Sequence, residues 1–113
     1  MTEGIIDFNE WSKLDLRVGE IKNIEEIEGA DKLYQLSVDI GDEELRTLVA
    51  GLKPYYNKEE LKGKKCIVFT NLQPRKMKGI ESKGMILAAT TEDKSKVILI
   101  QPEKDIENGA KIS

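Results

Sequence analysis

The sequence predicts an all-β protein, a small five-stranded barrel with one short helix inserted before the fourth strand. Residues 14–18 and 34–40 alternate apolar and polar side chains with the period of a half-buried strand. A β-branched run at 66–70 and two apolar runs at 85–91 and 97–100 supply the remaining strands. The chain has 113 residues, which is the length of one domain with a single core.

The chain begins with an arm, residues 1–13, that contains a short helix. Asp7 and Glu10 have the spacing of a capping box, so we expect Asp7 to cap a helix of one to two turns. The first strand follows over 14–27, and Gly19 is expected to allow a bend or bulge in it.

The middle of the chain decides between two kinds of barrel. A hairpin turn at 41–42 precedes a return strand over 45–50. Asn57 and Glu60 repeat the capping-box spacing, which predicts a short helix between the third and fourth strands. That position is typical of the OB-fold, a five-stranded Greek-key barrel, whereas the competing SH3-like barrel does not require the helix. We therefore expect one OB-fold domain, whose barrel and C-terminal extension occupy 14–113.

The composition favours a binding module over an enzyme. The sequence has no histidine and one cysteine, Cys66, which excludes Ser-His and Cys-His nucleophilic systems and leaves neither a metal site nor a cofactor to be expected. No nucleophile–base pair and no phosphate-cradling glycine loop is evident. No apolar run approaches the ~20 residues that span a bilayer, and no secretory signal is visible, so we expect a cytoplasmic protein.

The charge of the chain is unevenly distributed. The formal net charge is −3, but residues 62–83 contain seven basic side chains and one acidic side chain, a local excess of +6. A compact basic face of this kind attracts phosphate even when the whole protein is acidic. The alternative is that these lysines only solvate strand ends and loops.

The most informative stretch, Asn71–Met85, joins the predicted fourth and fifth strands. Loops at this rim of an OB-fold commonly bind oligonucleotides. Its cations can contact phosphates, and Asn71 and Ser82 can hydrogen-bond to phosphate, ribose or a base edge. The stretch contains no aromatic residue, so we expect contact with the backbone of folded RNA rather than base stacking. The cations are Arg75, Lys76, Lys78 and Lys83.

Three segments, Asp15–Ile21, Ala30–Tyr34 and Asn71–Ala89, resemble the tRNA-binding domain family. The sharpest match is the Lys-Met-x-Gly-x-x-Ser-x-Gly-Met pattern that ends at Met85. The family includes the C-terminal domain or β subunit of methionyl-tRNA synthetase and free-standing tRNA-binding proteins. The resemblance implies a non-catalytic OB-fold that recognises folded tRNA and assists methionyl-tRNA synthetase in trans. The alternative within the family is a peptide-binding, export-type chaperone homodimer.

The resemblance also implies which residues contact tRNA. Asn71, Lys76, Ser82 and Met85 match the family positions associated with contact, and Lys32 and Arg46 are weaker matches. To these, the charge of the loop adds Arg75, Lys78 and Lys83. For Met85 the alternative is an apolar side chain that packs into the barrel. Arg17 is expected to be structural and to reach a carboxylate across the barrel.

An apolar cluster precedes the barrel. Free-standing members of the family of this size are typically homodimers, so the resemblance implies a dimer here. Ile5, Ile6, Phe8 and Trp11 lie outside the predicted barrel strands, and we expect them to form the dimer interface. The alternative is that they cap the open end of the core.

Overall fold

The computed structural model describes residues 4–113, and its centre is a five-stranded, nearly closed antiparallel barrel. The strands are β1 (Leu16–Glu26), β2 (Tyr34–Asp39), β3 (Arg46–Ala50), β4 (Lys65–Phe69), β5 (Arg75–Met77), β6 (Ile80–Ser82), β7 (Met85–Ile86), β8 (Ala88–Thr90) and β9 (Val97–Leu99). The barrel strands follow the order β3-β2-β1-β4-β7, while β5 pairs with β6 and β8 with β9. This is the OB-like, mostly β architecture that the sequence predicts.

The first strand is long enough to serve two neighbours. It pairs with β4 over Leu16–Glu20 and with β2 over Glu20–Glu26. The register shifts between Ile21 and Asn23, so the irregularity falls after the glycine that was expected to allow it. Gly19 is instead required by packing, because a Cβ atom there would stand 2.7 Å from a methyl group of Val38.

Both predicted helices are present. In α1 (Phe8–Trp11), the carboxylate of Asp7 accepts a hydrogen bond of 2.9 Å from the backbone N–H of Glu10. In α2 (Lys58–Leu61), Asn57 and Glu60 form a complete capping box. The second helix stands between β3 and β4, as expected for this barrel, and buries Leu61 in the core.

The second half of the chain differs from the prediction in two ways. The connection after β4 was expected to be a loop, yet it forms a hairpin of its own, β5 and β6. The predicted strand over 85–91 is interrupted at Leu87, because β7 pairs with β4 while β8 pairs with β9. One apolar run therefore serves two sheets, which an apolar pattern alone does not reveal.

The C-terminal extension pairs with the first part of β1, along the edge that β2 does not cover. The N–H groups of Gly109 and Ile112 donate to the carbonyls of Val18 and Leu16, each at 2.8 Å. The N–H of Val18 donates in return to the Ala110 carbonyl at 2.9 Å. The first part of β1 is thereby paired on both sides. Neither of the two described helices is long and apolar enough to cross a membrane.

Candidate functional site

The basic stretch is organised by the short hairpin β5–β6. Its two-residue turn, Lys78-Gly79, has positive φ at both positions, 52° and 79°. This is the geometry of a type I′ turn, whose twist matches that of the flanking strands. The turn fixes Lys78 at the exposed tip of the hairpin.

One face of the hairpin is anchored to the barrel. Met77 and Ile80 pack against a buried cluster formed by Ile27, Ala30 and Val49. The cluster joins β3 to the loop between β1 and β2, so the hairpin is held against two parts of the fold. Because side chains alternate along a strand, the opposite face carries Lys76 outward. The sequence contained a signal for this hairpin. The Lys78-Gly79 turn is flanked by the apolar residues Met77 and Ile80, and a charged residue lies on the far side of each.

Ser82 is part of this anchor. Its side chain is buried, with 3% of the residue exposed. The hydroxyl oxygen accepts a hydrogen bond of 2.9 Å from the Val49 N–H, and the hydroxyl donates to the Gly84 carbonyl at 3.1 Å. The sequence predicted that Ser82 contacts tRNA directly. The structure places the group inside the protein, where it ties β6 to β3.

The cations of the hairpin are exposed and not neutralised. Within residues 4–113, Arg75, Lys76 and Lys78 have no carboxylate oxygen within 4.0 Å. Glu81 lies across the hairpin from Lys76 and stands 3.9 Å from the Lys83 amine, a loose contact between exposed side chains. Three positive charges on the hairpin are therefore available to a ligand.

Lys32 joins the hairpin cations. It lies in the loop between β1 and β2, and together with Lys78 it lines a shallow pocket of about 400 Å³. The structure thus brings together two predicted residues that are distant in the sequence. We call Lys32, Arg75, Lys76 and Lys78 the basic face.

Arg46 does not belong to the basic face. Its guanidinium donates to the Thr70 carbonyl at 2.6 Å and to the Lys83 carbonyl at 3.2 Å, and stands 3.7 Å from the carboxylate of Asp42. These contacts tie β3 to the end of β4 and to the segment after β6. The predicted tRNA contact of Arg46 would require the side chain to leave these partners.

Asn71 is also engaged within the protein. Its side-chain oxygen accepts from the Asp15 N–H at 2.8 Å, and its side-chain nitrogen donates to the Lys13 carbonyl at 2.7 Å. The residue is exposed but holds the start of β1 against the end of β4. It lies away from the tip of the hairpin.

Arg17 is engaged within the protein, but the nearer of its two carboxylates is only two residues away in the sequence and not across the barrel as predicted. Its guanidinium is 3.0 Å from the carboxylate of Asp15 and 3.6 Å from that of Asp42, in the turn between β2 and β3. The hydrogen bond from Arg17 lowers the pKa of Asp15 below its ordinary value. This cation is neutralised by the protein itself.

Met85 lies at the start of β7 with 44% of the residue exposed. The side chain is half-exposed, so it matches neither of the two predictions fully: it is not packed in the core, and it is not entirely free to contact RNA. It lines a small pocket with Arg75 and Ser82 at the base of the hairpin.

The single basic face predicted over residues 62–83 is divided in the structure. Lys65 pairs with Asp105 at 2.9 Å where β4 begins, and the Lys64 amine stands 6.0 Å from the centroid of the Tyr56 ring. The hairpin instead packs against β3 and the loop between β1 and β2. Only the second half of the charged segment therefore contributes to the basic face.

The N-terminal arm exposes its apolar residues. Ile5, Ile6 and Phe8 are 67%, 66% and 76% exposed, and Trp11 is 37% exposed. They are not part of the buried clusters of the barrel. The alternative in which they cap the core is therefore wrong.

No metal-binding cluster accompanies the basic face in the described residues. Residues 4–113 contain no cluster of three or more His, Cys, Asp or Glu side chains arranged to hold a metal. Cys66 is buried in the core, and burial raises the pKa of its thiol to about 12. The thiol is therefore protonated at neutral pH and unsuited to act as a nucleophile.

Comparison with known proteins agrees with this geometry. The family model described as "Putative tRNA binding domain" matches residues 16–111. Methionine–tRNA ligase of Pyrococcus furiosus is 49% identical over 95% of this chain, which spans 14% of that enzyme's length. A MetRS-related protein from Pyrococcus horikoshii has a TM-score of 0.88 and 41% identity, over 96% of this chain and 98% of that one.

A third relative carries a different name. The CsaA chaperone from Bacillus anthracis has a TM-score of 0.87 and 29% identity, over 97% of this chain and all of that one. The fold is thus shared by proteins named for translation and for chaperone activity. The family model covers most of the sequence, and the identity to the ligases is high over nearly all of it. The chain therefore belongs to the tRNA-binding domain family.

Proposed function

We propose that this protein is a non-catalytic module that binds folded tRNA through the basic face. The observation that carries the proposal is a rigid hairpin with three cations that have no carboxylate partner within residues 4–113. Lys32, from the loop between β1 and β2, lines a pocket with Lys78 and Asp31 and adds a positive charge beside the hairpin tip. Neutralising phosphates releases counterions, and this favours binding most at low salt.

The predicted site residues fall into two groups, those that contact tRNA and those that hold the site in place. Lys32, Arg75, Lys76, Lys78 and Lys83 contact phosphates, and Met85 contacts the ligand at the base of the hairpin. Ser82, Arg46 and Asn71 act through the structure, since their polar groups are already bonded within the protein. They hold the hairpin and the ends of β1, β3 and β4 in place.

The proposed role is to assist methionyl-tRNA synthetase in trans, in the cytoplasm. The similarity to a short segment of methionine–tRNA ligases supports this role. A bound module raises the effective concentration of tRNA near a catalytic subunit without adding chemistry of its own.

The test is filter binding of total tRNA beside duplex RNA of equal length. We expect tRNA to be retained preferentially, with an affinity that falls steeply as salt increases. Equal retention of both RNAs would contradict recognition of the folded shape. No retention at low salt would contradict the proposed function itself.

We propose further that two copies associate through Ile5, Ile6, Phe8 and Trp11. The exposure of these apolar side chains on one short arm supports the proposal, since burial at a two-fold interface would remove them from water. Sedimentation of the protein should report a dimer, and Phe8→Asp should produce a monomer. A wild-type monomer would contradict this part.

A second candidate function is peptide binding by a chaperone homodimer. The likeness to two CsaA chaperones favours it, as does the exposed apolar arm. Suppressed aggregation of an unfolded client, with no affinity for tRNA, would support it over tRNA binding.

A further inference from the structure

A groove runs along the seam of the barrel, beside the hairpin. The edges of β3 and of the β6–β7 segment are joined by a hydrogen bond of 2.9 Å from Lys83 N–H to the Thr47 carbonyl. Ser82 and Val49 make the second link. Beyond these links β3 is not paired with β7 or β8, and the two edges diverge around a groove of about 400 Å³. This volume lies within the range of sites that bind small ligands.

Apolar side chains line both sides of the groove, and polar atoms contribute a comparable share of its surface. Leu52 and Tyr55 line one side, and Met85, Ile86 and Val97 line the other. The Tyr55 hydroxyl donates to the Lys94 carbonyl at 2.9 Å, which fixes the tyrosine beside the turn between β8 and β9. An aromatic side chain thus reaches the neighbourhood of the hairpin from a distant part of the sequence.

Two cations, Arg75 and Lys94, line the groove. Arg75 lies with Met85 at the base of the hairpin, and Lys94 lies in the turn that follows Thr90. Neither cation has a carboxylate within 4.0 Å in the part of the chain that the structure describes.

We propose that this groove binds a single-stranded segment of RNA, with a base against the apolar walls and phosphates at Arg75 and Lys94. The inference rests on the proposed function, because Arg75 belongs to the basic face. Two separate positive groups on the groove fit a ligand with repeated negative charge, which favours RNA over an apolar peptide. Base contact with an aromatic side chain is tolerant of sequence, so the groove adds affinity without selecting one base.

The experiment measures the affinity of fluorescein-labelled hexauridylate by anisotropy at low salt, with labelled total tRNA in parallel. Lys94→Asn removes the charge and keeps the turn, because asparagine tolerates the positive φ of 61° at this position. Lys96→Asn is the matched control, since Lys96 is exposed and follows in the same turn but does not line the groove. Tyr55→Ala is compared with Tyr55→Phe, which keeps the ring.

We expect Lys94→Asn to weaken hexauridylate binding several-fold and Lys96→Asn to leave it unchanged. Tyr55→Ala should weaken it about fivefold to a hundredfold, and Tyr55→Phe much less. Thermal melting of each variant checks that the fold is retained. If Tyr55→Ala unfolds, the two lysine variants decide the question.

Three results would overturn the inference. Equal effects of Lys94→Asn and Lys96→Asn on hexauridylate binding would indicate a diffuse charge effect. If the protein binds tRNA but not hexauridylate, the proposed function stands and the groove is not an RNA site. Groove variants that alter binding of a labelled apolar peptide, and not of hexauridylate, would assign the groove to peptides. If the wild-type protein binds neither hexauridylate nor tRNA, the result would instead contradict the proposed function.

Discussion

The cations of this protein fall into two groups that differ in their partners. Arg17, Arg46 and Lys65 contact carboxylates or carbonyls of the barrel and its extension. Lys76 and Lys78 of the hairpin project from an anchored scaffold without such partners in residues 4–113. A neutralised cation must lose its partner before it binds a phosphate, whereas a free one exchanges only water and counterions. The number of basic residues therefore says less about RNA binding than their environment does.

Reversing the free cations gives the largest expected effect. The double variant Lys76→Glu/Lys78→Glu should weaken tRNA binding about tenfold to a hundredfold at low salt. The slope of log affinity against log salt should fall by about 1.4–1.8, because two phosphate contacts are lost. Filter binding at several salt concentrations measures both quantities, and different tRNAs should be affected alike.

The matched control is Lys62→Glu/Lys64→Glu, which changes the net charge by the same amount within the same basic segment of the sequence. It should change the affinity much less, since these residues lie before β4 and not on the hairpin. Equal loss in the two double variants would show that the overall charge matters and the basic face does not.

Removing a neutralised cation should affect stability more than binding. Arg46→Ala deletes the hydrogen bonds to the carbonyls of Thr70 and Lys83 and should lower the free energy of unfolding by about 1–2 kcal/mol. Urea denaturation measures this loss. The tRNA affinity of the folded variant should change at most a few-fold, and a loss as large as that of the hairpin reversal would make Arg46 a contact residue.

Ser82→Ala tests whether the serine is an anchor or a contact. The change leaves the Val49 N–H without its partner and should lower the free energy of unfolding by about 1 kcal/mol. Hydrogen exchange at the Val49 amide should accelerate, since this amide is held by the serine. Unchanged stability and exchange with a marked loss of tRNA affinity would restore the direct contact predicted from the sequence.

Acidification should produce the smallest effect. Hydrogen bonds from Arg17 and from Asn108 lower the pKa values of Asp15 and Glu20, whose ordinary values are 3.8 and 4.5. A carboxyl group with a lowered pKa stabilises the fold above its unfolded pKa and loses that contribution as the pH falls through its folded pKa. Stability should therefore decline below about pH 4.5.

The acid test has its own control. Asn108→Ala removes the hydrogen bonds of 3.1 Å to Glu20 and 3.2 Å to Asp39 and should reduce the pH dependence of the free energy of unfolding between pH 3 and 5, roughly the range of these groups. Chemical denaturation at each pH measures it. A pH dependence identical to that of the wild type would contradict the assignment to these two carboxylates.

The sequence predicted most of the barrel because its signals are local. The alternation along β2, the two capping boxes and the helix before β4 all depend on neighbouring residues. The split of the run after Met85 was not predicted, because the change of partner from β4 to β9 is a long-range choice. The bulge expected at Gly19 lies instead between Ile21 and Asn23, because its position depends on the partner strand.

For the candidate site, residue types were predicted better than their roles. The sequence identified Lys76 and Lys78 as cations of one segment, but it could not show that Lys64 and Lys65 of the same segment lie elsewhere. Nor could it show that the hydroxyl of Ser82 is buried, since that depends on the packing of the hairpin on β3.

The most direct test of the account is lysine footprinting by mass spectrometry. The protein is acetylated briefly with and without saturating tRNA, and the modification of each lysine is compared. The account predicts protection of Lys32, Lys76 and Lys78, with Lys62 and Lys104 modified as in the free protein. Equal modification of the first three with and without bound tRNA, or protection spread evenly over all lysines, would contradict it.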